Sequence, residues 1–215
     1  LVTYAAKHFG ANATGVTIAQ EGYNWGMDQI ARNGVSDKAR ILRMDYRDIP
    51  KQKFDKITCL EMGEHVGIRK FKGFIKMIYD LLEEDGKFYI QFMNEYIFSG
   101  ADASTPLAFL VEALQDANFE VNTVENLGIH YSITIHKWYY NWLQHEEQIN
   151  KSYGVWWFRL WQLFLRWSVD IAAQGSSTCW AIVAHKNLNE TKRHEYIGHW
   201  NLAERGGDIK TPITL

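Results

Sequence analysis

Glu64 and His65 stand side by side in CLEMGEHVG, residues 59–67, directly after FDKITCL, a run that reads as a buried strand. Glu61 gives the same stretch a second carboxylate. Carboxyl and imidazole groups move protons, and they do so best when a fold holds them at a fixed place near a reacting atom. A solvated loop pair, or a cap for the helix that starts near residue 69, fits Glu64 and His65 equally well from position alone. His65 is a catalytic candidate whose favoured role is to orient the loop through its ring nitrogens.

Two more polar clusters end strand-like runs. Thr17 closes ATGVT, with Gln20 just beyond, and Asp45-Tyr46-Arg47 follows ARILRM. Ligands of α/β sheets bind outside the carboxyl ends of the strands, so the three clusters are expected to face one crevice. Without further information Asp45 and Tyr46 are an ordinary polar turn before Pro50.

The elements that must carry these groups alternate. LVTYAAKHFG reads as an amphipathic helix stopped by Gly10, and residues 20–33 as a second helix stopped at Asn33-Gly34. Residues 69–84 form the clearest helix, with Phe71, Phe74, Ile75, Ile78, Leu81 and Leu82 on one face and Asp85-Gly86 as its end. KFYIQFM is the next strand, STPLAFLVEALQDA a helix capped by Ser104 or Thr105, FEVNTVENLG a strand and TCWAIVAHK the last one. Strands alternating with helices predict a mostly parallel sheet with helices on both faces.

Between the last two strands lie long aromatic helical runs. Trp138 and Tyr139 are read as core or pocket wall. In SYGVWWFRLWQLFLRWSVDIAA, Arg159, Gln162, Arg166 and Asp170 make one narrow polar stripe on an otherwise apolar helix. Such a helix is either buried between core and cap, or it lines a lipid tunnel or a membrane interface with Trp and Arg at headgroup level.

The chain has 215 residues, 47% of them hydrophobic, which suits one globular domain. A net charge of −2 argues against a nucleic-acid partner, since there is no basic excess to neutralise phosphates. Two cysteines, Cys59 and Cys179, give no disulfide framework, and the histidines show no metal-ligand spacing.

Taken in order, GVTIAQE, MDYRDIP, FDKITCLEMGEHVG, YIFSGADASTP, GIHYSITIHKWYYNW and QGSSTCWAIV resemble the methyltransferases that use S-adenosylmethionine, and more closely the cyclopropane-fatty-acid synthase family. Within it, GADASTP and QGSSTCW are most similar to the fungal sphingolipid 9-methyltransferases, which methylate carbon 9 of an unsaturated sphingoid base. The resemblance implies an α/β fold, a Rossmann-like class I methyltransferase sheet with an aromatic-rich, lipid-binding helical insertion. It implies a methyltransferase domain over residues 1–190 and a polar tail over 191–215. On the same resemblance the chain begins inside the family's first helix, so the family's first strand and its cofactor-binding glycine loop are expected to be missing. The chain then reads as an incomplete copy of a longer, membrane-anchored enzyme.

Residue roles implied by the family follow the matching positions. Thr17 and Gln20 approach the ribose and adenine of S-adenosylmethionine, Asp45 and Tyr46 the adenine, and Leu60 packs near it. Gly22 stands where the family has a Gln. A bound bicarbonate is the base, held by Glu64 and Tyr131, with Gln91 in the place of the family's His. Gln91 donates hydrogen bonds but does not titrate, which weighs against ring closure. The expected partner is a membrane sphingolipid, and the expected location is the endoplasmic reticulum membrane with the catalytic domain facing the cytosol. Two rival readings stay open: a cyclopropane synthase acting on phospholipid acyl chains, and a catalytically inactive lipid-binding paralogue, favoured by the missing glycine loop and a shortened connection after residue 91.

Overall fold

The computed structural model describes residues 1–94, 106–176 and 178–186, the side chains of residues 92–94 excepted. The chain forms two compact units, Leu1–Gln52 and the part from Lys53 onward.

The first unit holds α1 (Val2–Phe9), β1 (Ala13–Thr17), α2 (Gln20–Arg32) and β2 (Ala39–Arg43). Gly10 takes the left-handed conformation, φ 65°, that lets its N–H turn back to the carbonyls of Ala5 and Ala6 and end α1. β1 and β2 pair in parallel, from Ala13 opposite Ala39 to Thr17 opposite Arg43. Ala6, Ile30, Val35 and Ala39 make the small core, with Val2, Met27 and Ile41 against it. α2 lies so close to β2 that a Cβ on Gly26 would fall 2.1 Å from Ile41 Cδ1, so a larger residue there would require the end of the Ile41 side chain to move. Asp45 caps a single 3-10 turn, Tyr46–Asp48, after β2.

The second unit holds β3 (Phe54–Leu60), a 3-10 turn (Gly63–His65), α3 (Ile68–Leu81), β4 (Leu82–Asn94), α4 (Leu107–Asp116), β5 (Phe119–Asn126), α5 (Gly128–Gln144), α6 (Glu146–Tyr153), α7 (Val155–Ala173) and β6 (Thr178–Lys186). Its sheet runs β3-β4-β6-β5. As expected, most of its strands share one direction: β3, β4 and β5 run the same way, and β6 is the reversed one. β3 and β4 are parallel, whereas β6 is antiparallel to both β4 and β5. The chain leaves β5 at Asn126, passes through three helices and returns as β6 from Thr178, where Trp180 comes to lie opposite Asn126.

α3 buries the predicted face: Phe71, Phe74, Ile75, Ile78 and Leu81. It ends earlier than its periodicity suggests. Leu82 turns extended (φ −82°, ψ 142°) with its side chain wholly buried, and the turn at Asp85, φ 62°, then lies inside the β4 segment. Phe88, Ile90, Ile182 and Ala184 form the centre of the sheet's core. Burying each large side chain contributes roughly 1.5–3 kcal/mol. Ring contacts Phe71–Phe109 and Phe88–Phe119, both 5.7 Å, tie α4 and β5 to this core. Pro106 precedes α4, and the cap expected of Ser104 or Thr105 lies outside the described residues, as do GADASTP up to Thr105 and the polar tail.

α5 and α7 pack through Ile135, Leu165 and Val169, with Tyr131, Tyr139, Trp142 and Phe164 around them. Ser132 Oγ donates to the Val169 carbonyl at 3.0 Å, and Trp142 Nε1 to the Phe158 carbonyl at 3.1 Å. α7 is therefore not sandwiched between core and cap. Its inner stripe is Phe158, Leu165, Val169 and Ala172, while Trp156 and Leu163 are 65% and 70% exposed. No described helix is long and apolar enough to cross a membrane.

Candidate active site

At the carboxyl end of β3 the chain stops being extended at Glu61, which takes φ 51°. A bulky non-glycine residue pays a steric penalty there unless its surroundings hold it. Glu61 is held: its N–H donates to the Gln91 carbonyl at 3.1 Å, continuing the β3–β4 register in which Leu60 faces Gln91.

The Glu61 side chain then collects the polar groups of three elements. From β4, Gln91 Nε2 donates to Glu61 Oε1 at 2.8 Å and to the Tyr131 hydroxyl at 2.7 Å. From α5, the Tyr131 hydroxyl donates to the same Oε1. From β6, Cys179 Sγ lies 3.7 Å from it. Tyr89 hydroxyl completes the set, donating to Gln91 Oε1 at 3.3 Å.

The position of Tyr131 follows from how α5 begins. The Leu127 N–H donates to the Cys179 carbonyl at 2.8 Å, and Asn126 Oδ1 accepts from Gly128 N–H at 2.8 Å and Thr178 Oγ at 2.5 Å. These bonds pin the start of α5 to β6, and Tyr131 sits one turn in, its N–H on the Leu127 carbonyl at 2.9 Å.

Glu64 and His65, adjacent in sequence, are separated by environment. Glu64 is buried, 5% exposed, and its Oε2 has no hydrogen-bond partner among the described residues. Burial pushes its carboxyl up to about 7, and the charge of Glu61 adds to the shift. His65 is exposed, with its N–H closing the 3-10 turn on the Met62 carbonyl. Burial also raises the thiols of Cys59 and Cys179 to about 12, and raises the Tyr131 hydroxyl, which its bond to Glu61 raises further. Cys59 is shifted next by Glu64, and Cys179 by Glu61.

The structure thus brings together Gln91 and Tyr131 as expected, but around Glu61. In the sequence Glu61 stands out only as a second carboxylate, and nothing in it singles out Tyr89 or Cys179. The available signal was the phase of β3: Glu61 follows directly on the strand, whereas Glu64 lies a turn later. Leu60, 42% exposed, ends β3 beside the cluster.

The remaining candidates lie in the first unit. Thr17 ends β1 and its Oγ1 accepts from Ala19 N–H at 3.1 Å. Gln20, exposed, donates to Asn24 at 2.7 Å. Asp45 is grasped by Arg47, whose Nε and Nη2 lie 2.8 and 2.7 Å from its two oxygens, and the Arg47 guanidinium lies 6.0 Å from the Tyr46 ring centre.

The mycolic acid cyclopropane synthetase family matches this chain over residues 1–92 and 87–182. Among curated proteins, the chain is 45% identical to a sphingolipid C9-methyltransferase of Komagataella phaffii, over 92% of this chain and 46% of that protein. It is 46% identical to sphingolipid C9-methyltransferase B of Emericella nidulans, over 90% of this chain and 41% of that protein. The chain therefore spans less than half the length of these relatives. Among solved structures, it superposes on the mycolic acid cyclopropane synthase CmaA1, complexed with SAH and CTAB, with a TM-score of 0.78, covering 85% of this chain and 73% of that one at 16% identity. That likeness is one of fold, the α/β fold of the class I S-adenosylmethionine methyltransferases.

Proposed function

The chain belongs to the mycolic acid cyclopropane synthetase family, and on that premise we propose that it carries the chemistry of an S-adenosylmethionine-dependent lipid C-methyltransferase whose acceptor is the unsaturated sphingoid base of a sphingolipid. The observation that carries this reading is the similarity to sphingolipid C9-methyltransferases along nine-tenths of the chain. We place the protein at a membrane, the endoplasmic reticulum membrane with this part on the cytosolic side. The broad apolar face of α7 supports the membrane contact.

The first unit suits the purine end of the cofactor. Asp45 and the Tyr46 ring stand side by side just after β2, an acceptor and a flat ring of the kinds that an adenine amino group and ring meet. Thr17 and Gln20 would meet the ribose. When bound, the cofactor supplies a methyl group on a sulfonium.

The lipid alkene is a weak nucleophile, so the chain's task is to align it and exclude water. Methyl transfer leaves a cation on the lipid, and a base must then take a proton. Glu64, buried with one oxygen unpartnered among the described residues and close enough to Glu61 for their charges to interact, is proposed as part of that acid–base set, with His65 shaping the loop. Among the described residues the donor set does not fit a bound bicarbonate. Both amide hydrogens of Gln91 and the hydroxyl hydrogen of Tyr131 are committed within the Glu61 cluster. A second anion 4 Å from a carboxylate is repelled by about 4 kcal/mol at an effective dielectric of about 20.

The test uses the product of the full gene in membranes, with S-adenosylmethionine carrying a fully deuterated methyl, and lipid mass spectrometry. Sphingoid bases that keep all the label are expected. Acyl chains that have lost one deuterium would transfer the reading to a cyclopropane synthase, and unlabelled lipid with cofactor still bound would transfer it to an inactive lipid-binding protein.

A further inference from the structure

The acceptor end of the reaction has a structural counterpart in the least expected of the two carboxylates. Glu61 Oε1 is saturated by Gln91, Tyr131 and Cys179, groups from β4, α5 and β6. The hydrogen bonds of the Glu61 side chain among the described residues all go to Oε1, none to Oε2, and the residue is half-buried rather than enclosed. A carboxylate fixed through one oxygen and open at the other is oriented like a base awaiting a proton. Its backbone tells the same story independently: φ 51° at a glutamate persists only where the surroundings over-determine it, and such residues gather at functional sites. The donors that would cradle an added anion are spent on this side chain.

We propose that Glu61 is the built-in base of the reaction, occupying the place of the exchangeable anion the donor set would otherwise hold. The inference rests on the lipid methyltransferase reading above. The alkene π pair forms the new carbon–carbon bond as the methyl–sulfur bond breaks, leaving the cofactor as its neutral thioether and a cation on the neighbouring lipid carbon. Glu61 Oε2 then takes the hydrogen of the methylated carbon as a proton, and the electrons of that C–H bond restore the alkene. The transferred methyl keeps its three hydrogens, and Glu61 ends protonated. Tyr131 and Gln91 act as positioning residues, through Oε1.

Two measurements on the full gene product in membranes test this, both read as deuterated methyl delivered to lipid. In the first, wild-type activity is compared in carbon-dioxide-stripped buffer and with bicarbonate restored; equal rates are expected. In the second, Glu61→Gln is compared with wild type, with its melting temperature and its affinity for S-adenosylhomocysteine measured alongside. The expected loss is about a hundredfold or more, the usual scale of an acid–base group, with melting and affinity retained. Added formate is expected to restore part of the activity of Glu61→Ala by supplying a carboxylate in the vacated space. Wild-type turnover that collapses without bicarbonate overturns the proposal, and so does a Glu61→Gln enzyme as fast as wild type. A variant that fails to fold leaves the bicarbonate comparison to decide. Wild-type enzyme that labels no lipid at all overturns the functional reading itself, and the role of Glu61 with it.

Discussion

Glu64 carries the clearest physical consequence of any single residue. Its carboxyl binds a proton more tightly folded than unfolded, with burial as the main cause, rising from 4.5 to about 7. As pH climbs through that window the native state must charge a buried group while the unfolded chain does so freely. Stability is therefore intact below about pH 4.5 and falls by about 3 kcal/mol by the time pH passes 7. Glu64→Gln removes the penalty. Its melting temperature is expected to exceed that of wild type at pH 8 and to match it at pH 4. Parallel melting curves at all pH values would mean that Glu64 is solvated. The residue types of the site were readable in CLEMGEHVG, but the division of labour was not. Burial, which separates Glu64 from His65, and the convergence of Gln91 and Tyr131 on Glu61 depend on side chains 30 and 70 residues away in the chain.

At the scale of the element, α7 separates two kinds of tryptophan that its sequence does not distinguish. Trp161 packs against Trp142 at 5.9 Å and Phe164 at 5.3 Å, at the edge of a cavity of about 410 Å³ that Trp138, Asn141 and Ile149 also line. Trp157 meets Trp156 at 4.8 Å and is 48% exposed. Trp161→Ser is expected to cost about 1–3 kcal/mol in denaturant unfolding, as lost packing does. Trp157→Ser is expected to stay within about 0.5 kcal/mol of wild type yet weaken association with liposomes. Unchanged liposome binding with a clear loss of stability for Trp157→Ser would make it a packing residue and remove the membrane role. The helical period of α7 and its polar stripe were legible; Arg166 and Asp170 indeed pair across one turn at 2.8 Å. Which apolar side faces α5 was not, because the whole circumference away from the stripe is apolar.

Across the whole molecule the two units differ in how their sheets are supported. β1 and β2 form a pair whose residues are at best half-buried in β1, whereas β6 lies between two partners and places Ile182 and Ala184 fully inside. Amide hydrogen exchange is expected to be slowest at the centre of β6 and the facing part of β4, and orders of magnitude faster in β1, following the gradient of local stability set by buried contacts. Equal protection of β1 and β6 would mean that the two sheets open as one cooperative unit.

The sequence by itself determined the elements and the family. Period-3.6 stripes, as in Phe71 to Leu81, short β-rich runs such as ARILR, and Gly10 as a stop act locally, and a local cause is visible in a local pattern. It also determined which polar residues end the strands. The tertiary structure alone decided the reversed direction of β6, the early end of α3 at a buried Leu82, and the carboxylate at the centre of the site. Each of these is settled by which side chains meet across the fold, where register and burial compete between segments far apart in the chain and no local pattern records the outcome.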